Sequence, residues 1–216
     1  MEVSCAFPTA LDSPDNIALA EQLGYHRAWI YDTPQQSPDV WMTLALAAQR
    51  TERIGLGPGV LVPSLRHPMV NAAATATLCA LAPGRVAVSF GTGFTGRRVM
   101  GYLAITWAFM DSYIRAYRAL LRGEVVEWEG ARMQMLHPDG HAPARPVEVP
   151  VLIVDGAKDI RPRSAVDSLA EALPNVTRVS LAEAAHLPWL DDPEADRGAY
   201  LDHLTARAAQ PEAWLP

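Results

Sequence analysis

Cysteine is nearly absent: Cys5 and Cys79 are the only two in 216 residues. They lie far apart, and neither has a partner at metal-ligand or redox-dithiol spacing. That excludes a disulfide framework, a structural zinc site and a thioredoxin-type centre, and makes a reducing cytoplasm the expected location. Positive charge is scarce too, with 18 Lys and Arg against 24 Asp and Glu, a net charge of −6. No basic cluster interleaves with aromatic residues, so nucleic acid is not an expected partner. No uncharged run is long enough to span a bilayer, and Met1 to Phe7 lacks the basic head and long apolar stretch of a signal peptide. A membrane is not expected either.

Apolar residues make up 50% of the chain, enough to bury a substantial core. β-branched apolar runs alternate with amphipathic stretches of helical spacing, the signature of successive βα units on a parallel sheet. The class is therefore α/β. Strands are predicted over Val3 to Phe7, Arg27 to Tyr31, Ile54 to Val62 and Val86 to Phe90. Helices follow over Pro14 to Leu23, Asp39 to Arg50, Pro68 to Leu81 and Trp107 to Leu121. Ser13 is placed to cap the first helix and Gly24 to stop it. Val125 to Trp128 and Met133 to Met135, on either side of Glu129-Gly130, read as a small hairpin.

Pro138, Gly140, Pro143 and Pro146 fall close together, a composition that resists helix and sheet ladder alike. The chain therefore divides into residues 1–136, a linker at 137–148 and a closing segment at 149–216. In that segment the βα rhythm resumes with strands at Val151 to Val154 and Thr177 to Leu181. Helices are predicted from Ser164 to Leu173 and from about Asp192 to Ala208.

Four stretches, in order and in register, carry a resemblance. They are Ala28-Trp29-Ile30-Tyr31-Asp32, Thr51 to Gly57, Val60 to Pro68, and Gly84-Arg85-Val86 running on to Gly91-Thr92-Gly93. From about Ala18 to Leu136, and in outline over residues 1–148, the chain resembles the luciferase-like flavin and deazaflavin oxidoreductases. The resemblance implies a (β/α) barrel, here partial, with FMN or a deazaflavin coenzyme at the carboxyl ends of the strands. It implies cofactor contacts at Asp32, Gly59, Val60, Val62, Ser64, Gly91, Thr92 and Gly93, and a cis peptide bond at Gly59-Val60. Other readings stand beside these. Asp32 could cap the turn before Pro34, Arg66 and His67 could belong to a solvated loop, and Trp29, Trp41 and Trp107 are expected in the core.

Gly91-Thr92-Gly93-Phe94-Thr95-Gly96 also fits a dinucleotide fingerprint. That reading needs a helix opening among the glycines and an acid ending the next strand. Asp111 has the offset, yet it falls in a predicted helix, and the glycines make a poor helix after Phe90. A further departure concerns proton transfer. Deazaflavin-dependent dehydrogenases of the family commonly carry a His after the strand-two Asp and an acid after the Gly-Thr-Gly turn. Here Thr33 and Phe94 stand there, so that acid/base pair is missing.

Residues 149–208 resemble the closing part of an α/β-hydrolase. Val151-Leu152-Ile153-Val154 leads to Gly156-Ala157-Lys158-Asp159, and Ala184-Ala185-His186-Leu187-Pro188 follows at the spacing of a triad acid and histidine. The resemblance implies Asp159 and His186 as catalytic partners of a nucleophilic serine. No Gly-x-Ser-x-Gly occurs; Ser89 in Ala87-Val88-Ser89-Phe90-Gly91 is the nearest miss. On this reading the chain is a fusion in which neither site is complete. The expectations are weak binding of FMN or deazaflavin, exposed strand edges that favour a homodimer, a small-molecule substrate, and a hydrolase or a non-catalytic module as the alternatives.

Overall fold

The computed structural model describes residues 2–35, 37–136, 147, 151–156, 167, 171, 176–183, 194 and 198. Three parallel strands, β1 (Ser4–Phe7), β2 (Arg27–Ile30) and β3 (Gly55–Pro58), lie side by side in that order. Ser4 aligns with Arg27, and Arg27 with Gly55. The crossovers are α1 (Ser13–Gln22) and α2 (Val40–Arg50). In β2 the side chains alternate, with Ala28 and Ile30 buried, while β3 is buried at every residue, as a strand covered on both faces must be.

The core forms where those faces meet. Ile17 of α1, Ile30 of β2, Leu44 of α2 and Leu56 of β3 are fully buried in one apolar cluster. A second cluster joins α3 (Pro68–Leu81) to α5 (Trp107–Leu121). Ala72 and Ala76 present no bulk, so the rings of Tyr113 and Tyr117 pack directly on α3. A hairpin of β4 (Val126–Trp128) and β5 (Ala131–Met133) turns through Glu129 and Gly130, both at positive φ, as a two-residue primed turn requires. Its Trp128 ring meets the edges of Tyr113 and His67.

The expected fourth strand, Val86 to Phe90, is instead a pair of isolated parallel bridges, Leu56 to Val86 and Leu61 to Phe90. Five residues of advance on one side face four on the other, so an extra residue bulges between the bridges. Hydrogen bonds persist across it: Ala87 N–H donates to Leu56 O at 3.1 Å, Ser89 N–H to Pro58 O at 3.2 Å and Leu61 N–H to Ser89 O at 2.6 Å. The bulge also explains why β3 stops at Pro58 rather than reaching Val62. A short 3-10 turn, Pro63–Leu65, follows it.

Two smaller expectations need correction. Asp12, not Ser13, occupies the cap position of α1. The Ser13 hydroxyl accepts from Ala10 N–H and donates to Pro8 O, closing the preceding turn. The glycine-rich stretch after Gly91 does form a helix, α4 (Phe94–Val99), because Gly93 enters it in the left-handed conformation at φ 76°.

The amino ends of the strands are tied by two charged side chains. Glu21 accepts the backbone N–H groups of Glu52, Arg53 and Ile54. Arg85 donates to Thr51 Oγ1, Thr51 O and Ile54 O, between 3.0 and 3.1 Å. Glu21 ties the end of α1 to the turn before β3, and Arg85 joins the end of α2 to that turn, at the end of a parallel sheet where stability rather than chemistry resides.

By contacts the chain divides into residues Val3–Val149 and a unit of Pro150–Pro216 with Met1–Glu2. In the latter, β6 (Val151–Gly156) pairs in parallel with β7 (Val176–Leu181), from Val151 opposite Val176 to Gly156 opposite Leu181. Asp159, His186 and nearly all of the proline-rich linker lie outside the described residues, as do most residues of the helices expected at 164–173 and 192–208. Among the described residues no helix is long and apolar enough to cross a membrane.

Candidate functional site

The loops after β1, β2 and β3 all leave from the carboxyl edge of the sheet, where parallel folds hold their ligands. Asp32 follows β2 by two residues and is buried. Its Oδ2 accepts the N–H of Val62 at 3.1 Å, and both its oxygens lie 2.9 Å from Nη1 of Arg66. The other guanidinium nitrogen, Nη2, donates to Asp39 Oδ2 at 2.7 Å. Asp39 in turn caps α2, its Oδ1 accepting from the N–H groups of Trp41 and Met42.

Burial pushes the Asp32 carboxyl above its ordinary pKa, against the opposing pull of Arg66. Burial also raises Asp39, but hydrogen bonds from Arg66, Met42 and Trp41 outweigh it and hold that carboxyl below the usual range. Arg66 is thus neither a solvated loop residue nor a free cation. It stitches the β2 loop, the β3 loop and the start of α2 together. Its carbonyl accepts from the Tyr113 hydroxyl at 2.9 Å, and Asn71 Nδ2 donates to that hydroxyl at 2.6 Å. Trp41 Nε1 donates to Asn71 Oδ1 at 3.0 Å, completing a buried polar chain from α2 through α3 to α5.

Beside this cluster runs the bulge. The Gly59-Val60 peptide bond is cis, at the position the resemblance implied. Val60 is 41% exposed, and its Cγ2 occupies the space that a β-carbon on Gly91 would need. Val62 stands the same way to Gly93, where an added β-carbon would lie 2.5 Å from Val62 Cγ1. Gly91 N–H donates to Leu61 O at 3.0 Å, and Thr92, itself buried, accepts Ile105 N–H on its carbonyl at 3.1 Å. Asp32, Val60, Val62, Gly91 and Gly93 are therefore brought together in space, with Gly59 and Thr92 adjoining them in the chain. The result is a shelf in which the Val60 and Val62 side chains lie against the backbone of Gly91 and Gly93.

Ser64 lies in the 3-10 turn, and its buried hydroxyl has no hydrogen-bond partner. Two residues not singled out in the sequence share that property: Thr9, just after β1, and Gln35, after β2. Thr33, in the position of the family's histidine, pairs its hydroxyl with that of Ser37 at 2.8 Å. Asp32 is thus committed to Arg66, and Thr33 to Ser37.

Ser89 is not a nucleophile elbow. Its backbone belongs to the bridging stretch, and the next helix begins only at Phe94, whereas an elbow needs a helix directly after the serine. The dinucleotide reading gains a helix among its glycines, but α4 is six residues long, and Asp111 lies within α5 paired to Arg115. No strand ends in the required acid at that offset among the described residues.

Asn71 did leave a trace in the sequence. An amide inside the apolar run Pro68 to Leu81 signals a buried polar partner. Arg66 with Asp39, and Gln35, had no such local mark, since each depends on contacts across the fold.

The chain is similar to several proteins of known description. The chain is 41% identical over 87 residues to an F420-dependent glucose-6-phosphate dehydrogenase of Intrasporangium calvum, matching 37% of this chain and 26% of that protein. It is 32% identical over 116 residues to a 5,10-methylenetetrahydromethanopterin reductase of Methanolobus tindarius, matching 52% of this chain and 35% of that one. The matched stretches thus span a third or so of these relatives at most. Among solved structures, an FMN complex of the oxygenating constituent of 3,6-diketocamphane monooxygenase from Pseudomonas putida superposes with a TM-score of 0.65. It is 14% identical and covers 94% of this chain and 62% of that one, a likeness of fold.

The luciferase-like monooxygenase family model matches residues 13–210 and so runs through the segment 149–208. The hydrolase-derived segment expected there finds no support in these comparisons. With a family match over most of its length, the chain belongs to the luciferase-like monooxygenase family.

Proposed function

We propose that this chain is a flavin- or deazaflavin-dependent oxidoreductase whose ring site is the shelf formed by Gly59 to Val62 and Gly91 to Gly93. The observation that carries the reading is the fit of Val60 into the space left by Gly91 and of Val62 into that left by Gly93. Glycine at both positions lets two backbone segments lie flush, which suits one face of a planar ring. The family match, and relatives described as F420-dependent or bound to FMN, support the same chemistry.

A bound flavin or deazaflavin supplies the hydride chemistry. The protein's part is to orient the ring and exclude water from its face. Asp32 acts by holding Val62 N–H and Arg66, so its role is positioning. Ser64 and Thr92 adjoin the shelf in the chain, and Thr92 is buried beside it. The substrate is a small molecule, and its proton must come from a group other than Thr33 or Asp32. The hydrolase alternative, with Asp159, His186 and Ser89, has no supporting observation and no part in this reading.

Titration with FMN and, separately, with the deazaflavin coenzyme, followed by cofactor fluorescence, tests the proposal. Saturable binding that weakens in both Asp32→Ala and Thr92→Val is expected. Wild-type protein that binds neither cofactor up to millimolar concentration would end it.

A further inference from the structure

Side chains on a helix lean towards its amino end, and the Arg97 stem in α4 leans back onto Gly93. A β-carbon added to Gly93 would lie 3.0 Å from Arg97 Cγ, 3.1 Å from its Cδ and 2.5 Å from Val62 Cγ1, so the stem rests against the shelf. The guanidinium is held from two further sides. Its Nε donates to Leu103 O, and its central carbon lies 5.2 Å from the centre of the Tyr102 ring. The segment that supplies both contacts is itself tied to the shelf, because Ile105 N–H donates to Thr92 O at 3.1 Å.

An arginine fixed at its stem, its Nε and its face has little freedom left to lose when a ligand binds. Arg66 commits both of its Nη nitrogens to Asp32 and Asp39. Arg97 differs: among the described residues its Nη nitrogens donate to nothing and no carboxylate pairs with it. It is also partly exposed rather than sealed. The two parallel N–H donors of that Nη edge match the two oxygens of a carboxylate. The surroundings narrow the class further, since Val99, Met100, Tyr102 and Leu103 are all exposed. A polyhydroxylated phosphate tail would leave that apolar run in water, whereas an apolar body ending in a carboxylate would cover it.

We propose that the substrate is an organic carboxylate with an apolar body, its carboxylate received by the Nη edge of Arg97 and its body by Tyr102 and Leu103. The inference rests on the oxidoreductase reading of the same site and deepens it. It makes Arg97 a determinant of substrate class rather than of cofactor affinity.

The probes are octanoate and phenylacetate, their neutral amides, and acetate, which carries the charge without the body. Each is titrated into the full chain, with and without FMN or the deazaflavin coenzyme, while the Arg97 Nε–H signal is followed by NMR. Arg97→Lys assigns that signal by its loss. A saturable shift with octanoate or phenylacetate is expected, with the amides and acetate binding about tenfold more weakly. Arg97→Gln, followed by calorimetry, should weaken carboxylate binding about tenfold. Tyr102→Leu, which frees the guanidinium face, should weaken it as well, and thermal melts check that both variants are folded. Amides that bind as tightly as their carboxylates, or carboxylate binding unchanged in Arg97→Gln, overturn the inference. So does an Arg97→Gln protein whose FMN affinity falls while its riboflavin affinity holds, because Arg97 then serves the cofactor's phosphate. Cofactor binding without carboxylate binding overturns the inference alone. A wild type that binds neither cofactor removes the oxidoreductase reading and the inference with it.

Discussion

Asp32 and Arg66 meet with both carboxylate oxygens 2.9 Å from a single guanidinium nitrogen, and the pair is largely shielded from water. Removing one member of such a pair leaves an uncompensated charge, which costs about 3–5 kcal/mol. Two carboxylates share this arginine, so the two single variants should differ. Arg66→Met leaves both Asp32 and Asp39 without their cation and should cost the most. Asp32→Asn keeps the Val62 N–H bond and leaves Arg66 with Asp39, so a smaller loss of about 1–3 kcal/mol is expected. Urea unfolding of both variants and of the double variant checks the order. Equal losses would mean that Asp39 contributes nothing.

The glycines supply a graded series. A β-carbon on Gly57 would strike the carbonyl oxygen of Ala87, a backbone atom rather than the end of a flexible side chain, so Gly57→Ala should abolish soluble expression. At Gly93 the obstruction is the Val62 side chain, and φ is 76° as well, so Gly93→Ala should lose about 1–3 kcal/mol and weaken flavin binding. Gly24 has a φ of 84° with nothing near its missing β-carbon, and Gly24→Ala should cost only about 1 kcal/mol, with flavin affinity intact. Thermal melts with flavin titration of the three variants separate steric from conformational cost.

Acid should loosen the amino end of the sheet first. Burial alone would raise the pKa of Glu21, but the N–H groups of Ile54, Arg53 and Glu52 and the charge of Arg53 together lower it. A carboxyl with a lowered folded value stabilises the fold at pH above its unfolded pKa, and that contribution fades as pH falls through the folded value. The window therefore lies below about pH 4.3, the ordinary glutamate value. Solvent screening keeps the effect to about 1 kcal/mol or less. Glu21→Gln should be less stable than wild type at pH 7, with the gap closing in that window. A gap independent of pH would show that the carboxylate charge is irrelevant.

Much of this architecture was readable from residue patterns because it is local. The ends of α3 and α5 follow from Pro68 and Pro83 and from the apolar period, and the hairpin from Glu129-Gly130. The misreadings share a physical origin in long-range contact. Val86 to Phe90 has strand composition, but the bulge opposite it breaks the ladder. Gly93 and Gly96 argued against a helix, yet Gly93 serves as its left-handed entry. For the site, resemblance pointed to Asp32, Val60, Val62 and the Gly91-Thr92-Gly93 turn. Neither Arg66 bridging two carboxylates nor the unpartnered Gln35 amide follows from any local spacing, because each is defined by side chains from other loops.

The chain Trp41, Asn71, Tyr113 links three helices to the Arg66 carbonyl, and its members differ in what their loss exposes. Burial pushes the Tyr113 hydroxyl well above the ordinary tyrosine range, so near neutral pH it is a neutral donor and acceptor. Tyr113→Phe keeps the ring packing against Phe90 and Trp128 but strands Asn71 Nδ2 and the Arg66 carbonyl, a loss of about 1–3 kcal/mol. Tyr117→Phe removes a hydroxyl that donates to Thr75 Oγ1, yet Thr75 can still donate to Asn71 O, so its cost should be smaller, about 1 kcal/mol. The Tyr113 change should also loosen the β3 loop through Arg66. Hydrogen exchange at the Val62 amide, which Asp32 holds, is expected to quicken in Tyr113→Phe and to stay unchanged in Tyr117→Phe. If both variants leave that amide equally protected, the polar chain stabilises the helices without ordering the site.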